Sequence, residues 1–348
     1  FGVSYMTAMV ISAIVIVGYT MMGGFLAAST TDFIQSIIMS VALIIVLIFG
    51  VNVAGGMDAV IDNAKALPGY LSMFQSYDVA TGTASPYRLL TIVSTLAWGL
   101  GYFGMPHILL RFMAIEDEEK LSMSRRIAIV WVVISMAVAV FIGVIGYSMS
   151  QVGAIDILEG SNSETIIVKI ADLLSRHGVI FALLAGVILA GILASTMSTA
   201  DSQLLAASSA VSSDMLNQNG KSGIIVARIT LMLIAVFSII LARNPNSSVF
   251  QIVSFAWAGF GAAFGPVVLF SLFWRRTNKY GALAGMLFGG VMIFVWKYLV
   301  RPLGGVWNIY ELLPAFIVAC VAIVIVSLAT PAPDQSILDE FDRAASGK

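Results

Sequence analysis

The chain contains little charge and few of the residues that build disulfides or metal clusters. Only 11% of its 348 residues are charged and 59% are hydrophobic, whereas soluble domains carry about 25% charged residues. This composition excludes a soluble fold. The one cysteine, Cys320, excludes a disulfide within the chain. The two histidines, His107 and His177, are too few and too far apart in the sequence to form a metal ligand set.

Other absences limit the function. The net charge of −1 predicts no nucleic-acid partner. The sequence offers neither a nucleophile–base–acid set nor a cluster of metal ligands, so we expect no enzymatic activity and no cofactor beyond a coupling ion. The chain opens on Phe1 and lacks the basic region that opens a signal peptide. We therefore expect a chain that is truncated at its amino end.

Long apolar runs dominate the rest of the sequence. A membrane-spanning helix needs about 20 mostly apolar residues, and nine runs meet this requirement. We predict an all-α integral membrane protein with nine transmembrane helices, embedded in the lipid bilayer of the inner or plasma membrane. The predicted spans are residues 5–24, 33–54, 88–114, 124–151, 178–214, 223–242, 248–274, 281–300 and 310–329.

The distribution of lysine and arginine predicts the orientation, because cytoplasmic loops are richer in these residues. One set of loops contains Arg111, Lys120, Arg125, Arg126, Lys221, Arg275, Arg276 and Lys279. The longer opposite loops, residues 55–87 and 152–177, contain only Lys65, Lys169 and Arg176 outside their flanking spans. We expect the first set to be cytoplasmic, together with a loose, polar carboxyl-terminal tail at residues 331–348.

Hydroxyl side chains are concentrated in the fifth span, within residues 189–215. Ser195, Ser198, Thr199 and Ser202 have the spacing of one helix face. Polar groups inside a membrane face a partner helix, a cavity or an ion path, and a hard cation such as sodium prefers hydroxyl and carbonyl oxygens. Small and hydroxyl residues also mark close helix packing. A sodium path and a packing surface both remain open on this segment.

The third span is predicted to break near residues 102–106. Glycines loosen this segment, and Pro106 has no amide to donate to the carbonyl of Tyr102. Secondary transporters build substrate and ion sites from such discontinuous helices. Trp98, Tyr102 and Pro106 are spaced i, i+4 and i+8, which predicts one face with two aromatic walls and a kink. A proline-kinked packing helix is the alternative.

Two acidic residues lie in or beside the apolar runs. Asp32 precedes the second span and is followed three residues later by Gln35, which is typical of a helix capping box. The alternative is a carboxylate at the cytoplasmic mouth of a cation path. Asp201 lies among the hydroxyls of the fifth span and faces either an ion path or a partner helix. Residues 163–175 have helical periodicity and are expected to form an external helix over the site.

Several segments resemble the sodium/solute symporter family, and within it the branch that transports proline. They are GGFLA at residues 23–27 with Asp32, WGLGYFGMPHIL at 98–109, MSTADSQLL at 197–205 and SFAWAGFGAAFGPVVLF at 254–270. The likeness covers essentially the whole chain in the same order. One departure is Met105, which stands where the family pattern leads us to expect glutamine.

The resemblance implies part of the five-plus-five inverted-repeat fold of leucine-type transporters. Residues 1–330 would form a single transmembrane domain, with residues 331–348 as the cytoplasmic tail. Within the domain, residues 1–54 would be the end of the first repeat, residues 88–274 the complete second repeat, and residues 279–330 two additional helices. About four helices of the family would precede Phe1.

The resemblance also implies functional residues. The sodium-binding residues would be Ser195, through its carbonyl, and Ser198 and Thr199, through their side chains. Substrate binding or gating would fall to Trp98, Tyr102 and Pro106. Sodium release toward the cytoplasm would pass Asp32, with Asp201 as a second candidate on that path.

The expected function is therefore sodium-coupled symport of a small amino acid, L-proline above others, by alternating access. The same fold could carry pantothenate, a sugar or another small organic acid, or could serve as a sensor domain of a signalling protein. Because half of each site would lie in helices that precede Phe1, we expect this chain alone neither to bind sodium strongly nor to transport.

Overall fold

The computed structural model describes residues 2–218, 220–244 and 247–346. The chain is mostly helical, with one short hairpin. Its elements are α1 Tyr5–Val53, α2 Met57–Ala66, β1 Gln75–Asp78, β2 Thr83–Pro86, α3 Leu89–Leu96, α4 Pro106–Met113, α5 Leu121–Gln151, α6 Ile166–Ser175, α7 Val179–Ser209, α8 Gly220–Leu241, α9 Val249–Phe273, α10 Lys279–Val295, α11 Leu312–Ala329 and α12 Gln335–Ser346. A 3₁₀ segment at Ala97–Gly104 joins α3 to α4, and π-helical turns at Ala210–Met215 and Trp296–Val300 extend α7 and α10.

The described helices provide seven or eight membrane-spanning segments, whereas nine are predicted. Seven are long and apolar enough to span a membrane, and the bent pair α3–α4 is an eighth. Helix α1 has 49 residues, which corresponds to about 74 Å, more than twice the roughly 30 Å of a hydrocarbon core. At Gly24 its backbone leaves the helical region, with φ 58° and ψ −154°. This break lies at the end of the first predicted span, and the count of nine crossings stays a prediction.

The second span begins earlier than predicted, and the capping-box interpretation of Asp32 is wrong. The helix resumes directly after Gly24, so that Asp32 lies well inside it. A backbone with positive φ suits glycine and ends the first half of α1. The hydroxyls of Thr30 and Thr31 donate to the carbonyls of Leu26 and Ala27, both at 2.9 Å. They therefore bond within the helix instead of capping its start.

The first compact unit comprises Phe1–Ser85 and Ile115–Ser247. Its apolar core joins α1, α5, α6 and α7, and includes the fully buried Val46, Ile145, Ile170 and Ile188. The predicted helix within residues 163–175 is present as α6, which packs one face into this core. Its placement over a substrate site remains a prediction.

The loop between the second and third predicted spans is partly ordered into secondary structure. Helix α2 contacts α5, where the Asn63 amide donates to the Ser148 hydroxyl at 3.0 Å. Strands β1 and β2 pair as a two-stranded sheet. These elements were not predicted, because they are short and carry no strong hydrophobic periodicity.

The second compact unit comprises Pro86–Ala114 and Ser248–Lys348. Here the broken segment α3–α4 packs with α9, α10 and α11 around a core that contains Ala258, Ala262, Ile293 and Leu312. Both compact units draw on the predicted second repeat, residues 88–274. The predicted repeat boundaries therefore remain a prediction.

The carboxyl-terminal tail contains a helix, so the prediction of a loose tail is wrong for its described residues; residues 347 and 348 lie outside them. Helix α12 is amphipathic, with Ile337 and Phe341 spaced one turn apart. The Arg275 guanidinium donates twice to the Asp342 carboxylate, at 2.9 and 2.8 Å. These hydrogen bonds hold the pKa of Asp342 below its usual value.

Two adjacent glycines of α10 test how closely the helices of the second unit pack. A Cβ on Gly289 would collide with the Ala262 carbonyl and lie 3.0 Å from the Ala319 Cβ, whereas a Cβ on Gly290 would meet nothing within 4 Å. We predict that Gly289→Ala destabilises the protein by about 1–3 kcal/mol, as overpacking does. Gly290→Ala should be neutral or stabilising by up to about 1 kcal/mol. Thermal unfolding in detergent measures both, and equal effects would contradict the packing.

Candidate functional site

The hydroxyls of α7 converge on carbonyls of their own helix. Ser198 Oγ and Thr199 Oγ1 both donate to the Ser195 carbonyl, at 3.1 and 3.2 Å. Ser202 Oγ donates to the Ser198 carbonyl at 3.0 Å. A hydroxyl oxygen that donates one hydrogen bond keeps lone pairs that can accept or coordinate. The predicted face therefore exists, and it groups three oxygens around residue 195.

This hydroxyl face is accessible in the first compact unit. Ser195 and Thr199 are exposed and Ser198 is half-buried. Its oxygens are available to an ion, and the same surface is available to another helix. The structure thus brings the three predicted sodium ligands together without deciding between a sodium path and a packing surface.

Asp201 is hydrogen-bonded to a partner helix. Its side chain is fully buried, and its Oδ2 accepts a 2.8 Å hydrogen bond from the Tyr19 hydroxyl of α1. Ser202 Oγ lies 3.3 Å from the other carboxylate oxygen. A carboxylate buried in a membrane is costly unless donors surround it. Tyr19 was not predicted, because a lone tyrosine in an apolar span carries no sign of its partner.

Asp32 lies near the same cluster. It is half-buried on the second half of α1, within electrostatic range of both Tyr19 and Asp201. One turn away, the Gln35 amide oxygen is buried and accepts no hydrogen bond from the described residues. Water or a cation can bind to a buried acceptor of this kind. The two acids predicted for sodium release therefore belong to one polar cluster.

The predicted break in the third span is confirmed. The backbone is 3₁₀ over Ala97–Gly104, turns extended at Met105 with φ −85° and ψ 110°, and resumes as α4 at Pro106. The two halves are bent by 51°. Proline suits the first position of a helix, since the amide there has no partner within the helix. Gly104 therefore ends the 3₁₀ half of the span, and Pro106 begins its α-helical half.

The predicted single face of Trp98, Tyr102 and Pro106 is wrong in its geometry. The i, i+4 spacing assumes an α-helix, whereas a 3₁₀ segment repeats every three residues. Trp98 and Tyr102 instead share contact with Trp257 of α9. The Trp98 ring stacks on it at 5.3 Å and the Tyr102 ring meets it edge-on at 4.8 Å.

Gly101 makes this aromatic cluster possible. A Cβ at that position would collide with the Trp257 ring, whose Nε1 donates to the Trp98 carbonyl at 2.9 Å. Tyr310 adds a fourth ring to the cluster, with its centroid 6.2 Å from that of Trp98. Tyr102 remains 50% exposed, so one wall of the cluster is open. The alternating glycines of WGLG were the sequence signal for close contact with a ring.

Known proteins resemble this chain across almost its entire length. A family model described as the sodium:solute symporter family matches residues 1–289. The sodium/proline symporter of Haemophilus influenzae is 39% identical, over 99% of this chain and 68% of that protein. The sodium/proline symporter of Escherichia coli is 36% identical, over 99% of this chain and 66% of that protein. The chain spans about two thirds of the length of these relatives.

Two further comparisons agree. The osmoregulated proline transporter of Bacillus subtilis is 36% identical, over 96% of this chain and 65% of that protein. A solved structure described as the substrate-bound outward-open state of a Na⁺-coupled sialic acid symporter matches with a TM-score of 0.72 and 16% identity, over 96% of this chain and 69% of that one. At this identity the likeness shows the fold, and it confirms the predicted class of helical bundle.

The hydrogen bond between Tyr19 and Asp201 generates a test of stability. We predict that Tyr19→Phe destabilises the protein by about 1–3 kcal/mol, because a buried carboxylate loses a donor. Tyr5→Phe is the matched control, since the Tyr5 hydroxyl donates to an exposed carbonyl, that of Ala242. Chemical unfolding in detergent measures both variants.

A double-mutant cycle identifies the cause. In an Asp201→Ala background, Tyr19→Phe should cost less, because the carboxylate acceptor is gone and only the 3.3 Å hydrogen bond to the Met197 carbonyl remains. A full cost of Tyr19→Phe in that background would contradict the assigned hydrogen bond.

Proposed function

This chain belongs to the sodium:solute symporter family, and we propose that its complete gene product couples sodium entry to the uptake of L-proline. The family assignment confirms a multi-pass membrane transporter and not an enzyme. The proposal for proline is supported by relatives of 33–39% identity named as sodium/proline symporters. Those names favour proline over pantothenate, a sugar or a sensor role.

One observation carries the sodium site. The Ser195 carbonyl lies 3.1 and 3.2 Å from the Ser198 and Thr199 hydroxyl oxygens on an accessible face of α7. Hard cations bind oxygen ligands of this kind. We therefore assign the sodium ligands to the Ser195 carbonyl and to the side chains of Ser198 and Thr199. Sodium itself would be cargo and coupling ion, with no other cofactor proposed.

The release path is assigned to the acidic cluster. Asp201 is buried on α7 among the hydroxyl-bearing residues, and Asp32 lies within electrostatic range of it. A cation that leaves the hydroxyls would meet these carboxylates, and their negative charge would lower its cost in the membrane. The unsatisfied Gln35 oxygen adds a further acceptor beside this path.

The substrate or gating role is assigned to the broken helix. Proline combines an apolar ring with a zwitterionic head. Trp98 and Tyr102 supply aromatic surface for the ring, and the break before Pro106 places a helix end and a helix start beside them, whose dipoles suit the two charges. The exposure of the Tyr102 ring is consistent with a side chain that closes over a bound ligand.

In the proposed mechanism, sodium binds from outside, favours the outward-open state and improves proline binding. Because coupling between two sites is reciprocal, bound proline must tighten sodium by the same factor. Alternating access then releases both into the cytoplasm. The positive loops support the inner or plasma membrane with a cytoplasmic carboxyl terminus.

Sodium-dependent uptake tests the assignment. In proteoliposomes that contain the complete gene product, we predict that Ser198→Ala combined with Thr199→Ala raises the sodium concentration for half-maximal proline uptake about tenfold or more, because hydrogen-bond-like contacts to a charged group are each worth about 1.5–3 kcal/mol. The matched control is Thr196→Ala. Thr196 also donates to a carbonyl of its own helix, at 3.1 Å to Ile192, but lies off the hydroxyl face.

Two outcomes would contradict the proposal at different levels. An unchanged sodium dependence in the double variant would remove these residues from the sodium site. Uptake of another solute with no competition from unlabelled proline would remove proline as the substrate.

A further inference from the structure

An arginine lies within one of the membrane-spanning helices. Arg228 is in α8, Gly220–Leu241, about 12 Å along the helix from Gly220. A charge at this depth is expensive, and such residues commonly pair with carbonyls or other charges and serve a function. The local partner of Arg228 therefore matters.

That partner is a backbone carbonyl beside the break in α1. Arg228 Nε donates to the Met21 carbonyl at 3.2 Å. Three residues later, Gly24 leaves the helical region with φ 58° and ψ −154°. The carbonyls that precede a helix end lose their usual amide donors, and a positive charge is favourable at that end of the helix dipole. Arg228 meets both requirements at once.

Glycine is required at position 24 because of its backbone conformation and not because neighbouring atoms leave no room for a side chain. A Cβ at Gly24 would meet no atom within 4 Å, but a positive φ is strained for other residues. The bend is thus a property of the backbone, and a neighbouring side chain can stabilise it. Arg228 is a side chain in that position.

The break also separates two residues of the polar cluster. Tyr19 precedes it and bonds to Asp201, while Asp32 follows it. The angle at Gly24 therefore sets how both halves of α1 approach the acidic part of α7.

We propose that Arg228 is a positioning residue for sodium coupling. It holds the Gly24 break of α1 in one geometry through the Met21 carbonyl, and so fixes Asp32 relative to Tyr19 and Asp201. This inference rests on the proposed function for its effect on sodium, but the geometric part stands independently.

Uptake kinetics test the functional part. In the complete gene product, Arg228→Gln should raise the sodium concentration for half-maximal proline uptake several-fold, with a smaller change in maximal rate per molecule. Arg228→Lys should remain close to the wild type, because an ammonium can also donate to a carbonyl. Lys221→Gln, which removes a positive charge from the exposed start of the same helix, is the control and should change neither value. Equal loss of maximal rate in both Arg228 variants, with sodium dependence unchanged, would overturn the inference.

A distance measurement tests the geometric part and needs no transport. Spin labels at Val15→Cys and Ile44→Cys, exposed positions on the two halves of α1, report the bend in a complete gene product from which Cys320 and every other native cysteine have been removed. Arg228→Gln should broaden or shift the distance distribution, and Lys221→Gln should not. A narrow, unchanged distribution in Arg228→Gln would refute the positioning role. If the wild type fails to take up proline, the proposed function fails, while this measurement still decides the geometry.

Discussion

Hydrocarbon offers no hydrogen-bond partners, and this constraint governs the structure. Unbroken helices satisfy their own backbones, but the chain departs from helical geometry at Gly24 and at Met105. At the first break an arginine donates to the Met21 carbonyl, three residues before Gly24. At the second, Pro106 begins the new helix without an amide that would need a partner. Both breaks in helical geometry therefore occur where a nearby side chain, or a proline without an amide, reduces the number of unsatisfied backbone groups.

Polar side chains follow the same rule as the backbone. Asp201 is buried but hydrogen-bonded by Tyr19, and the hydroxyls of α7 bond to carbonyls of their own helix. These contacts keep the oxygens in place without exhausting their capacity to coordinate. The proposed sodium site would exchange its ion at low cost, because its donors and acceptors would retain partners when the ion leaves.

Sequence reasoning located the spans and the main break because both depend on local properties. Apolar length fixes a span, and glycine followed by proline fixes a break. Features that depend on contact with a distant segment of the chain could not be predicted in this way. The partner of Asp201 is Tyr19, far away in sequence, and the Gly24 break moved Asp32 from a helix start to a helix interior. The tail helix α12 is not among the predictions, although Ile337 and Phe341 have helical spacing in the sequence. The aromatic face was wrong because α-helical spacing was applied to a 3₁₀ segment.

The central claim is that the hydroxyl face of α7 binds sodium, and hydrogen–deuterium exchange tests it most directly. The complete gene product would be compared in sodium and in potassium at equal ionic strength, with exchange read for peptides that cover residues 192–205. We predict slower exchange there in sodium, since an ion held by the Ser195 carbonyl would restrain the helix. Identical exchange of these peptides in the two salts, up to saturating sodium, would contradict the claim.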